Sequence, residues 1–277
     1  METFGMRLHR ALEKRGPLCV GIDPHASLLA QWGLSDDVEG VARFSQTVVE
    51  ALADRVAVFK PQAAFYERFG SRGMAVLEST IRQLRDAGAL VLLDVKRGDI
   101  GSTMAAYADA YLNPSSPVYV DAITASPYLG FGSLRPAFDA AAEHGGGVFV
   151  LALTSNPEGS QVQHARTADG RTVAQLILDE ISQLNRGVKP LGSIGAVVGA
   201  TIGQTGHNLS GTGGPFLVPG LGAQGGDPTG LREIFGGSID AVLPAYSREV
   251  LAAGPTVRGL VDATDRSLDA CLTALRG

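Results

Sequence analysis

Four lysines stand against 19 arginines in this chain, at Lys14, Lys60, Lys96 and Lys189. Arginine stays protonated at any working pH, so a chain that takes its positive charge from arginine has reason to keep lysine where a proton must be transferable. Lys14 falls in a polar helix-like stretch and Lys189 in a loop before Pro190, whereas Lys60 and Lys96 end apolar, strand-like runs. Around Lys96 the sequence reads VLLDVKRGDIGST from 91 to 103. Strand alternation places Asp94 and Lys96 on one face, with Asp99 in the loop just beyond. Lys60 closes a second run before Pro61, which stops it. Two ammonium groups and two or three carboxylates would then converge, sharing a partly desolvated site and holding a lysine protonated for delivery of its proton. A purely structural ion pair is the competing reading, because either charge is costly to bury alone. Asp23, in CVGIDP, adds another carboxylate; a turn or helix-capping role before Pro24 fits its spacing equally well.

A second cluster follows in FLVPGLGAQGGDP, residues 216–228, where Gly220, Gly222 and Gly225 match G-x-G-x-x-G. A dinucleotide-binding reading fails on context, since the motif falls late in the chain and Asp240 begins a strand where the ribose-binding acid should end one. The same glycines after a seventh strand, with Arg248 just past an eighth, fit the phosphate site of a barrel. There Gln224 and Arg248 would clasp a phosphate together with backbone N–H groups. The five histidines are scattered without metal-ligand spacing and read as surface residues, so no metal site is expected. No nucleophile elbow and no reactive-cysteine context is present.

These residues need elements to hold them. Continuous apolar runs at 18–22, 56–59, 90–95, 118–123, 148–153, 194–198, 216–218 and 239–243 read as parallel strands covered on both faces. Helical patterns lie between them, for example at 38–54 and 257–275. Eight such units in 277 residues predict one (β/α)8 TIM barrel spanning 1–277, with an extra amphipathic helix at the N-terminus. A doubly wound open sheet is the alternative. Residues 201–214 (TIGQTGHNLSGTGG) should hold the sixth helix, yet their glycines predict at most one turn; residues 155–170 form a long polar loop suited to a lid. A net charge of −5 with no basic tract argues against nucleic acid as a partner. The longest apolar runs, 87–93 and 148–153, are too short to span a bilayer, and the N-terminus lacks a signal-peptide core. Cys19 and Cys271 read as two buried thiols, pointing to a reducing cytoplasm.

Together the motifs closely resemble the orotidine 5'-phosphate decarboxylase family. The most specific match is Asp94-Val95-Lys96-Arg97-Gly98-Asp99-Ile100-Gly101-Ser102-Thr103, which fits the family's D-x-K-x-x-D-I-x-x-T signature. Asp23 in GIDP, Lys60 in FKPQ and the PGLGAQGGDP loop match in the right order, and FKPQAAFYERFG and LTSNPEG look like the longer bacterial subgroup. The glycine-rich 201–214 departs from relatives that carry a helix there. The resemblance implies a carboxy-lyase that converts orotidine 5'-phosphate to UMP in pyrimidine biosynthesis without metal or organic cofactor. Lys96 would protonate C6 as CO2 leaves, with Asp94 near the departing carboxylate. Lys60 and Asp23 would contact the ribose, Ser155 the pyrimidine, Pro219 the pocket wall, and Gln224 and Arg248 the phosphate. Asp99 and Thr103 would reach the neighbouring site of a homodimer. Besides a Schiff-base aldolase using Lys60 or Lys96, two rivals remain at this point. One is a Mg-dependent sugar-phosphate decarboxylase or aldolase of the same superfamily, which the cation at Lys60 opposes. The other is a non-catalytic nucleotide-binding barrel.

Overall fold

The computed structural model describes residues 1–203, 206–223 and 225–276 of the chain. Eight parallel strands close into a barrel in chain order: β1 (Cys19–Ile22), β2 (Val58–Pro61), β3 (Leu90–Arg97), β4 (Ala122–Ala125), β5 (Gly147–Leu153), β6 (Ile194–Val198), β7 (Phe216–Val218) and β8 (Val242–Tyr246), with β8 pairing back to β1. The expected barrel is therefore the observed one, and the open-sheet alternative falls. Three strands lie further along than the apolar runs suggested: β2 starts two residues past the start of the run at 56–59, and two others start later still. The run at 239–243 begins inside a 3-10 segment, Gly236–Ala241, so Asp240 does not open a strand, and β8 continues through Tyr246. The run at 118–123 yields only its end to β4. In both cases an apolar lead-in packs under the barrel before pairing starts, and hydrophobicity does not separate the two.

Alternation within the strands divides the molecule into two cores. Cys19, Val58, Leu90, Leu92, Phe149, Val197, Leu217 and Leu243 face inward and fill the barrel. Their neighbours Val20, Phe59, Val91, Leu93, Val148, Val150, Ala196, Val198 and Val218 face outward against the helices. This is the pattern of strands buried on both faces, where every residue is apolar but adjacent ones serve different layers.

The N-terminal helix, Phe4–Arg15, closes the floor. Thr3 caps it by accepting from the Met6 amide, and Phe4 and Leu8 insert into the inner core. Phe4 meets Phe149 edge-on, with ring centroids 5.9 Å apart. A Cβ on Gly147 would stand 2.3 Å from the Phe4 ring, so glycine at the start of β5 is what admits the plug.

The sixth unit departs from the repeat. Among the described residues between β6 and β7 there is no helix. The buried Asn185 ties the end of this stretch to the start of β6, its amide donating to the Ile194 and Thr212 carbonyls at 2.7 and 3.0 Å. Gly192 and Gly214 make room, since a Cβ on either would fall within 2.6 Å of the Asn185 amide group. Residues 204 and 205 of this stretch lie outside the described residues.

Candidate active site

Period two carries the inner face of each strand up to the mouth. Above Val58 the next inward residue of β2 is Lys60; above Leu90 and Leu92 in β3 it is Asp94; above Phe149 in β5 it is Leu151. Lys60 and Asp94 are 7% and 6% exposed. They line a cavity of about 300 Å³ with Asp23, Lys96, Ser155, Pro219 and Arg248. The C-terminal mouth of a barrel, where the ends of several strands meet, is where such sites form.

Asp94 is the hub. Its Oδ2 accepts from Lys60 Nζ at 3.2 Å and Gln62 Nε2 at 3.0 Å, and its Oδ1 from Lys96 Nζ and the Thr124 hydroxyl, each at 2.7 Å. Burial would raise the Asp94 carboxyl, but the two ammonium groups and the Thr124 hydrogen bond outweigh it and hold the group well below the ordinary carboxylate range. Burial would likewise lower Lys60, and Asp94 and Asp23 reverse that, leaving it more basic than an ordinary lysine. Each charge is thus fixed by its neighbours across the whole working pH range. Cys19, deeper in the barrel, is pushed up by burial to about 12 and takes no part as a thiolate.

Lys96 reaches the hub by an irregular route. Between the pairs Leu93↔Ile123 and Arg97↔Ala125, three residues of β3 face one residue of β4, Thr124. Lys96 takes φ +44°, the one left-handed non-glycine backbone among the described residues. The regular alternation expected for Asp94 and Lys96 therefore breaks between them, and the bulge itself aims Lys96 across the mouth. Its side chain is 46% exposed, facing the cavity, while Asp94 stays buried.

Asp23 is not a helix cap. One carboxylate oxygen accepts from the Ser247 hydroxyl at 2.5 Å; the other is buried without a partner. A buried unpaired carboxylate oxygen is costly and marks a place for a donor brought by a ligand. Beyond β7, Gly220, Gly222 and Gly225 all take positive φ, and the loop folds on itself through amide bonds from Gly222 to Gly226 and from Gly226 to Gly220, each 2.9 Å. Arg248, exposed at the start of the short helix Arg248–Leu251, borders the same end of the cavity. Gln224 lies outside the described residues.

Asp23, Lys60, Asp94, Lys96, Ser155, Pro219 and Arg248 are thus brought together, as expected. Asp99 and Thr103 are not; they sit on the loop and helix after β3, away from this chain's own cavity, where Thr103 is exposed and the Asp99 carboxylate accepts from the Ile100 amide. Gln62, Thr124 and Ser247 were missed. Gln62 had a signal, two residues past Lys60 on the same strand end. Thr124 had one too, a lone hydroxyl ending the apolar run VDAIT. No group of three or more His, Cys, Asp or Glu with the arrangement of a metal site occurs among the described residues.

Comparison with known proteins adds independent support. Residues 16–260 match the profile of the orotidine 5'-phosphate decarboxylase / HUMPS family. The chain is 72% identical over 277 residues to the orotidine 5'-phosphate decarboxylase of Salinispora tropica, covering 100% of both chains. It is 61% identical over 266 residues to that of Streptomyces coelicolor, covering 96% of each. A crystal structure from Streptomyces avermitilis, provisionally assigned to the same enzyme, superposes with a TM-score of 0.97 at 60% identity, over 100% of this chain and 97% of that one. With a family match over residues 16–260 and a relative 72% identical from end to end, the chain belongs to the orotidine 5'-phosphate decarboxylase / HUMPS family.

Proposed function

We propose that this chain is a carboxy-lyase that converts orotidine 5'-phosphate to UMP, a step of pyrimidine biosynthesis, in the cytoplasm. The observation that carries the reading is the pair of ammonium groups, Lys60 and Lys96, held on opposite oxygens of one buried carboxylate at the cavity wall. When the C6–carboxylate bond breaks, its electron pair stays on C6 and CO2 departs. The resulting carbanion is poorly delocalised into the ring, so a cation already in place stabilises it with little reorganisation. Lys96 then gives its Nζ proton to C6, forming UMP, and takes a proton back from solvent. Asp94 holds Lys96 in line and lies beside the departing carboxylate.

The remaining roles extend this reading, supported for Asp23, Ser155, Pro219 and Arg248 by their place on the cavity wall. The free oxygen of Asp23 accepts from a ribose hydroxyl, to which Lys60 donates. Ser155 hydrogen-bonds the pyrimidine edge, Pro219 packs on it, and Arg248 with Gln224 holds the phosphate. Phosphate binding far from C6 lets remote binding energy close the loops at 155–170 and 220–226 over the site. Asp99 and Thr103 complete the site of a second copy in a homodimer; their position off their own cavity, beside Ile100 at 61% exposure, supports this arrangement. The chemistry uses neither metal nor organic cofactor, because the two ammonium groups supply the positive charge a metal would bring. Two free buried thiols and the lack of a membrane-crossing helix among the described residues accord with a cytoplasmic enzyme.

The test is to mix the purified protein with orotidine 5'-phosphate and follow loss of its ultraviolet absorbance, with and without EDTA. Turnover unaffected by EDTA is the expected result. Strict Mg²⁺ dependence with a sugar phosphate as the productive substrate would replace the reading with that of a metal-dependent relative.

A further inference from the structure

The bulge that aims Lys96 needs a partner for its displaced backbone, and Thr124 supplies it. In a regular parallel ladder Lys96, an even position of β3 like Leu90 and Asp94, would direct its amide toward β2. Here the bulge turns that amide toward β4, where it donates to the Thr124 hydroxyl oxygen at 2.9 Å. The same hydroxyl donates its own hydrogen bond to Asp94 Oδ1 at 2.7 Å, the oxygen that also accepts from Lys96 Nζ. A closed circuit results: Lys96 amide, Thr124 hydroxyl, Asp94 carboxylate, Lys96 ammonium. Thr124 is buried at the end of β4, so water does not replace it.

We infer that Thr124 is a positioning residue for the decarboxylation proposed above, locking Lys96 in its left-handed conformation and fixing which oxygen of Asp94 faces the lysine ammonium. The inference rests on that reading for its kinetic consequence but not for its structural one. A left-handed non-glycine backbone persists only where its surroundings over-determine it. The Thr124 hydroxyl is the group here that contacts both the strained residue and the hub. Serine keeps both hydrogen bonds. Valine keeps the shape and loses both, leaving a buried amide without an acceptor.

The experiment compares Thr124→Val and Thr124→Ser with the unaltered enzyme in three readouts. Turnover of orotidine 5'-phosphate should fall about 100-fold in kcat for T124V, the scale of loss from a small misplacement of a reacting group. T124S should stay within roughly fivefold of the unaltered enzyme, since both hydrogen bonds survive. UMP affinity, measured by calorimetry, should change less than about threefold in either variant, because the phosphate and ribose contacts lie elsewhere. A crystal structure of T124V should show residue 96 outside the left-handed region. The inference is overturned if T124V turns over like the unaltered enzyme, if T124S is as impaired as T124V, or if UMP binding is lost in step with kcat. It also fails if T124V crystals keep Lys96 at positive φ against Asp94. Should T124V not fold, Thr124→Ala carries the same comparison against T124S. An inactive unaltered enzyme would sink the decarboxylase reading, and the crystal structure of the variant would then decide Thr124 by itself.

Discussion

The barrel holds a buried aspartate at each end, and the two are set to different work. At the floor, Asp121 is 3% exposed; it accepts from the Val91 amide at 2.9 Å and pairs with Arg7 of the N-terminal helix. Arg7 goes on to donate to the Gly145 carbonyl at 2.8 Å. At the mouth, Asp94 is as deeply buried, yet its donors are all side chains, and two of them are lysines. Burial and pairing therefore do not tell a stitch from a site. The distinction lies in the partners. A guanidinium bound to a carboxylate and a backbone carbonyl fastens the helix to the barrel and cannot release a proton, whereas ammonium groups bordering a cavity leave one face free to act. The floor fastens the plug; the mouth stores charge for a ligand.

The sharpest way to test this contrast is Lys96→Ala. It should lower kcat by about three to four orders of magnitude, the scale of losing a general acid together with preorganised charge. UMP should still bind and the melting temperature should hardly move. Near-normal turnover would remove Lys96 as the proton donor. Next in size, Arg248→Ala should reduce kcat/KM for the phosphorylated substrate by about 100-fold, the scale of losing a charge-assisted clasp, and affect the bare nucleoside far less. Equal losses for both would erase the phosphate assignment.

At the floor the expected pattern inverts. Arg7→Met leaves Asp121 without its cation and should cost about 2 kcal/mol in denaturant unfolding, less than a fully buried pair because Arg7 is partly exposed. Its kcat should stay within about twofold, since nothing it touches reaches the mouth. A large drop in kcat at unchanged stability would break the division between the two ends.

The smallest effect concerns pH. Asp94 is depressed below 3.8 and Lys60 raised above 10.5. The stability Asp94 gains as a carboxylate is complete above pH 3.8 and lost as pH falls through its lowered value. That of Lys60 is complete below pH 10.5 and lost only as pH rises through its raised value. The melting-temperature difference between the unaltered protein and Asp94→Asn should therefore hold or widen as pH falls from about 9 to about 5, since burial no longer opposed by Asp94 lowers Lys60 in the variant. A difference that shrinks as pH falls from about 7 to about 5 would mean the pair is weaker than its geometry indicates.

Much of this was legible residue by residue. Continuous apolar runs with helical stretches between them point to parallel strands covered on both faces, and eight such units favour a closed barrel over an open sheet. The spacing of Asp94, Lys96 and Asp99, and of Lys60 before Pro61, placed charges where strands end. The strand limits at 118–123 and 239–243 were misplaced because apolar lead-in and apolar strand look alike without their partners. Gln62, Thr124 and Ser247 escaped because a polar residue at a strand end gains meaning only from what stands across from it.

What the sequence by itself determined is which charges the mouth holds and in what order the strands deliver them, since period-two geometry is local and needs no distant partner. Tertiary structure alone decided how Lys96 arrives. Its route depends on a bulge against β4 and on a hydroxyl 28 residues away accepting its amide. The stretch between β6 and β7 is likewise anchored at a distance, where Asn185 takes up the carbonyls of Ile194 and Thr212. Both depend on long-range hydrogen bonds, and a one-dimensional pattern carries no term for a partner that only folding brings near.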